Sequence, residues 1–156
     1  MTNRMRRRVC ALLVTLLLVG GAPAFAQQTI KIGCVATNQP RKDLGMFFST
    51  LAEIAAAGLS VCAWLHTDKL TAAWDIGELV KTCGLRKDQV AVSNHELKDS
   101  ELAARYGWSD CTIAPGLGEG FGYPIVESLA CGTPVIHANY AGGVELIANP
   151  HWIVEP

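Results

Sequence analysis

The run of 23 residues from Ala114 to Ile136 restricts the fold of this chain more than any other part of it. It begins at the end of an apolar stretch, Cys111 to Ala114, and passes through a glycine-rich turn. A helix follows from Pro124 to Ala130, and a second apolar stretch runs from Pro134 to Ala138. Proline near the first helical position with glycine (Gly132) just past the last is the asymmetry that helix ends favour. Strand, turn, helix and strand are thus packed into one short unit.

The same alternation holds along the chain from residue 30. Ile30–Ala36, Leu59–Leu65 and Gln89–Ser93 read as strands, as do Cys111–Ala114 and Pro134–Ala138, with a sixth starting near Trp152–Val154. Between them, Leu44–Ala57 carries helical periodicity and ends at Gly58. Ala72–Cys83 reads as a helix stopped by Gly84. Lys98–Tyr106 reads as a short helix, with Asp99 or Ser100 at its N-terminus and Glu101 in its first turn. Strands alternating with helices predict an α/β domain: a parallel sheet with helices on both faces. Ligands in such sheets bind outside the C-terminal ends of the strands. The loops of interest follow strands: Thr37–Asp43, His66–Asp68, Pro115–Tyr123 and Asn139–Gly143.

Gly116, Gly118, Gly120 and Gly122 alternate through the third of these loops. Turn glycines ahead of a helix leave backbone N–H groups bare and close to a ligand, which suits phosphate. Glu119 and Glu127 stand in the same stretch, where a carboxylate is suited to accept hydrogen bonds from sugar hydroxyls. The segment therefore suits a ligand carrying both phosphate and sugar. Glu127 has a structural reading too, since a carboxylate in a first helical turn gains from the helix dipole. The dinucleotide fingerprint does not fit, because its third glycine falls on Phe121 or Tyr123, and no Walker sequence occurs. No Asp-x-Asp occurs either, so a metal-chelating sugar transferase has no support and no metal is expected.

Residues Gly118 to Val135 resemble the C-terminal, nucleotide-sugar-binding domain of the GT-B retaining glycosyltransferases of family 4 (glycosyl transferases group 1). The shared frame is G-E-G-F-G-x-P-x-x-E-x-x-A-x-G-x-P-V. More weakly, the likeness extends over residues 29–156 and takes in Pro40-Arg-Lys-Asp-Leu44, Asp110, and Gly142-Gly143 followed by Glu145. It implies a Rossmann-like half of a GT-B fold that binds a nucleoside diphosphate sugar for retaining transfer. Glu119 would hold donor-sugar hydroxyls, and Glu127 the ribose. The amides of Phe121 and Gly122, in the turn with Gly118 and Gly120, would face sugar and diphosphate. Lys42 would neutralise the leaving diphosphate. Family members often carry an arginine soon after the first strand. Thr37 and Asn38 stand there in this chain, which leaves Arg41 as the substitute.

The resemblance covers only the donor half, incomplete at its C-terminal end. A truncated chain is therefore expected, with the acceptor bound by a separate N-terminal half. A non-catalytic exported nucleotide-sugar-binding module is the alternative reading, and a nucleotide-sugar epimerase a third.

Residues 1–26 read as a secretory signal. Arg4, Arg6, Arg7 and Arg8 precede an apolar core from Val9 to Val19, and Ala24-Phe-Ala26 is a small-x-small cleavage site. That core is short for a span, which takes about 20 residues. The expected location is secreted or periplasmic. The cysteines favour a cytoplasmic alternative. Five of the six lie beyond the signal, an odd number, with spacings that suit neither a disulfide framework nor a zinc site. Cys34, Cys62 and Cys111 fall in apolar runs, as free thiols do. Formal net charge is −1, and removing the four signal arginines leaves nine basic against fourteen acidic residues. Such a body lacks the basic face that nucleic-acid binding requires. His66 and His137 end strands, His95 and His151 sit in polar loops, and Trp64, Trp74, Trp108 and Trp152 are spaced like packing residues.

Overall fold

Five of the six strands contain no exposed residue, so both sheet faces are covered there. The computed structural model describes residues 29–140 and 142–155. The export signal expected over residues 1–26 lies outside them. The strands are β1 (Ile30–Val35), β2 (Val61–His66), β3 (Val90–Ser93), β4 (Cys111–Ala114), β5 (Val135–Ala138) and β6 (Ile153–Val154). They form one sheet in the order β3-β2-β1-β4-β5-β6, and every pair is parallel. Helices α1 (Leu44–Ala56), α2 (Ile76–Thr82), α3 (Asp99–Trp108) and α4 (Tyr123–Ala130) connect them.

Period-two alternation sends side chains to opposite faces. Ile30, Ile32 and Cys34 of β1, with Ala63 and Leu65 of β2, join the core cluster that holds Leu44, Phe47, Phe48 and Ile54 of α1. On the other face, Trp64 meets Tyr106 of α3 edge-on, and Thr112 of β4 bonds Ser128 of α4 at 2.8 Å. Gly33 is required on that face, because a Cβ there would lie 2.7 Å from Ser109 Oγ at the end of α3. Pairing along the sheet is uneven. β1 and β2 are in register from Ile30–Val61 to Val35–His66, while β1 and β4 share only Ile32–Cys111 and Gly33–Thr112.

Several sequence expectations shift. Helix α2 starts at Ile76, four residues later than Ala72. Asp75 caps it by accepting from Glu78 N at 2.9 Å, and Thr71 and Asp75 form an isolated bridge ahead of it. The skipped segment is tied to Asn38, whose amide accepts from Trp74 N at 3.0 Å and donates to Trp74 O at 2.8 Å. The side chain of Asn38 is therefore spent inside the protein. Helix α3 runs to Trp108 and is capped by Lys98, whose N–H donates to Glu101 at 2.9 Å. Asp99 and Ser100 sit inside its first turn. Helix α4 begins at Tyr123, and strand ends move by one or two residues. Trp108 is not a packing residue: it is exposed, with Lys31 Nζ 5.6 Å from its ring centre. Gly142 and Gly143 open a short 3-10 helix, Gly142–Leu146.

All five described cysteines are free. Burial pushes the Cys34 and Cys111 thiols from the ordinary 9.0 up to about 12.

Candidate functional site

The strand order reverses direction between β1 and β4, and open parallel sheets bind ligands outside the strand ends at such a switch point. A cavity of about 680 Å³ lies there. Val35 at the end of β1 and Ala36, Thr37, Arg41 and Lys42 after it line the cavity, with His66, Thr67 and Asp68 at the end of β2. Asn94, His95 and Glu96 follow β3, and Glu119 to Pro124 follow β4.

Lys42 ends a 3-10 turn, Pro40–Lys42, whose first residue is proline with its φ already set for a turn. Asp43 then takes φ 38, redirects the chain into α1, and accepts from Met46 N at 3.1 Å. This turn aims a lysine inward. Lys42 Nζ donates to Glu119 Oε1, and both side chains are nearly buried, 9% and 12% exposed. Arg41 Nη1 lies 3.8 Å from Glu119 Oε2 and donates to Gly118 O at 2.9 Å, while Leu117 N donates to Arg41 O at 2.7 Å. The loops after β1 and β4 are thus joined by charge and by backbone. Gly116 makes room for this arrangement, since a Cβ there would lie 2.8 Å from Glu119 Oε1.

Among the described residues, no backbone N–H from Gly118 to Tyr123 meets a protein acceptor. Gly122, at φ 87, turns this run into α4 and carries no capping side chain. A Cβ on Gly142 would lie 2.8 Å from Gly120 O, so the Gly142-Gly143 turn backs the glycine loop instead of lining the cavity. Phe121 and Tyr123 stand exposed at the rim, their ring centres 5.1 Å apart.

The opposite end of the cavity carries mixed charge. Asp68 accepts from Asn38 N at 2.7 Å, which holds its carboxyl below the usual range. Burial first, and His95 nearby second, push His66 below its ordinary pKa. Thr67 is buried, and its hydroxyl has no partner among the described residues. No three His, Cys, Asp or Glu side chains among the described residues converge as metal ligands.

The family model for glycosyl transferases group 1 matches residues 76–156, just over half of the chain. The chain belongs to the glycosyl transferases group 1 family. It is similar to the MMP α-(1→4)-mannosyltransferase of Mycolicibacterium hassiacum, with 34% identity over 84 residues, 54% of this chain and 18% of that one. Among solved structures it resembles the C-terminal domain of the group 1 protein LpcC from Francisella tularensis. The TM-score is 0.68 at 22% identity, covering 81% of this chain and 68% of that one. It also resembles Anabaena HepE in complex with UDP-glucose, with TM-score 0.68 and 20% identity, over 100% of this chain and 40% of that one. The two structures establish the fold, the C-terminal-domain type of GT-B. The chain spans about a fifth of the mannosyltransferase's length.

In this group 1 domain the structure brings Lys42, Arg41, Glu119, Gly120, Phe121 and Gly122 to one cavity. Gly118 adjoins them and holds Arg41 through its carbonyl. Glu127 stands one helical turn behind Tyr123, off the lining, and accepts from Tyr106 Oη at 2.8 Å. Burial and the Glu127 carboxylate both drive the Tyr106 phenol well above its usual pKa. His137 is internal, bonded to Ala114 O at 2.8 Å. The loop after β3 was absent from the expected ligand loops, yet Asn94, His95 and Glu96 line the cavity. The signal was available: each strand of a parallel sheet delivers its following loop to the same edge.

Proposed function

We propose that this chain is the donor-binding half of a group 1 glycosyl transferase. It holds a nucleoside diphosphate sugar across the β1–β4 switch point and presents it for transfer with retention of anomeric configuration. The observation that carries this reading is the Lys42–Glu119 pair set beside a run of bare amides.

The roles follow from charge. A diphosphate entering the cavity offers Lys42 a stronger anionic partner than Glu119, and the Phe121 and Gly122 amides and Arg41 add donors. Glu119, relieved of the ammonium, takes hydroxyls of the sugar. As the bond between sugar and diphosphate breaks, negative charge grows on the leaving oxygen. A fixed cation and oriented amides at that position are among the largest contributions to transfer catalysis. Lysine suits the task as a point charge on a flexible stem. These groups supply the countercharge without a metal. Glu127, held by Tyr106, receives the ribose hydroxyls through its remaining acceptor capacity. The acceptor substrate binds a separate N-terminal half, and residues 1–26 direct export. The resemblance to HepE, solved with UDP-glucose, and to a mannosyltransferase supports a hexose donor.

Calorimetric titration of the full chain with uridine, guanosine and adenosine diphosphate sugars tests this. One nucleotide class should bind, and Lys42→Ala should weaken it at least tenfold, the loss expected when a charge-assisted phosphate contact is removed. No binding by any donor ends the reading. Binding without transfer, even with an N-terminal half supplied, leaves a binding module.

A further inference from the structure

The end of the cavity formed by β2 and β3 holds a short relay of hydrogen bonds. Trp64 Nε1, which can only donate, reaches Ser93 Oγ at 3.0 Å. Ser93 Oγ also lies 2.9 Å from His66 Nδ1. Ser93 is buried, and among the described residues its hydroxyl has no third partner. The oxygen accepts from the indole, and among the described residues His66 Nδ1 is the acceptor within reach of the buried hydroxyl's own proton, which would otherwise go unpaired. That nitrogen is therefore the bare one, and Nε2 carries the hydrogen. The ring also stacks on Trp64, with centres 6.0 Å apart and planes 22° from parallel, so its orientation is fixed.

Charge along the cavity says what such a donor meets. Arg41 and Lys42 stand at the β1 end, whereas Asp68 and Glu96 share the other end with His66 and His95. Phosphate is drawn to the first end and repelled by the carboxylates of the second. The uncharged nucleoside of a nucleotide ligand consequently lies toward His66. We propose that His66 donates a hydrogen bond from Nε2 to an uncharged oxygen of the nucleoside, its tautomer set by the Trp64–Ser93 relay. That oxygen is a base carbonyl or a ribose hydroxyl. The inference rests on the donor-site reading above. His66 binds and orients, and takes no part in bond breaking.

Two measurements test it. A two-bond proton–nitrogen NMR spectrum of the ¹⁵N-histidine-labelled full chain, without ligand, reads the tautomer directly. Wild type should show Nε2–H for His66, and Ser93→Ala should show mixed tautomers. A bare Nε2 in wild type overturns the proposal. Calorimetry with the tightest binder among UDP, GDP and ADP should then show His66→Phe weaker by about 3- to 10-fold, the worth of one hydrogen bond. His66→Gln, which keeps an N–H donor, should recover most of that loss. A 2′-deoxy and a 3′-deoxy nucleotide separate the two sources. The His66→Phe effect vanishes with one of them if a ribose hydroxyl is the acceptor, and persists with both if the base carbonyl is. Wild-type binding that is unchanged in His66→Phe sinks this proposal alone. Absence of any wild-type nucleotide binding sinks it together with the donor-site reading.

Discussion

Lys42 and Glu119 lie 77 residues apart in the chain and meet as a nearly buried ion pair at the mouth of the switch point. Neither charge has enough water to stand alone, so each depends on the other until a ligand replaces it. Removing one partner of a buried pair costs far more than the pair itself contributes. Glu119→Gln should therefore lower unfolding free energy by about 1–3 kcal/mol in denaturant titration. It should also weaken binding of a sugar nucleotide more than that of the free nucleotide. Equal effects on both ligands would contradict the sugar contact assigned to Glu119.

Two glycines of the same loop should behave oppositely. An alanine at Gly116 places its Cβ 2.8 Å from Glu119 Oε1, whereas at Gly118 it meets nothing within 4 Å. Gly116→Ala displaces the carboxylate and should weaken donor binding about tenfold, the equivalent of one misplaced hydrogen bond. Gly118→Ala should bind as wild type does. Similar affinities for both variants would show that the position of Glu119 does not matter.

Tyr106→Phe removes the hydroxyl that holds Glu127. Stability should fall by about 0.5–1.5 kcal/mol, the net worth of such a bond, measured by chemical denaturation. Glu127→Ala should cost about 1–3 kcal/mol in nucleotide affinity, as expected for lost hydrogen bonds to a charged acceptor. Intact affinity in a folded Glu127→Ala variant would remove Glu127 from the site.

Cys34 and Cys111 tie stability to alkaline pH. Both thiols hold their protons more tightly in the folded chain, at about 12 against 9.0. The stability this lends is whole below pH 9.0 and is lost as pH rises toward 12. Thermal melts should fall across that window, and Cys34→Ala should flatten the fall relative to its own neutral-pH value. At pH 8, native alkylation should spare these two cysteines and modify partly exposed Cys62, Cys83 and Cys131 first. Early labelling of Cys34 would contradict its burial.

The strand–helix alternation was legible because apolar runs such as Ile30–Ala36 and Cys111–Ala114 leave few other folds open. The glycine frame likewise marked the loop before α4. What escaped were long-range relations. Nothing near Ala72 discloses that Asn38, more than 30 residues earlier, holds Trp74 in a loop and delays α2. Nothing near Glu127 discloses that Tyr106 donates to it, because helical periodicity places Tyr106 on a buried face without saying what faces it. The Lys42–Glu119 meeting depends on strand order, which alternation alone does not determine.

β1 and β4, the strands that carry these two residues, touch along only two register pairs, against six between β1 and β2. The sheet has a narrow join beneath its cleft. A guest that grips both loops acts as a rivet across that join, and its departure hands the seam back to two register pairs, the Lys42–Glu119 pair and the bonds that Arg41 makes to the glycine loop. Occupancy and the firmness of that join are thereby linked.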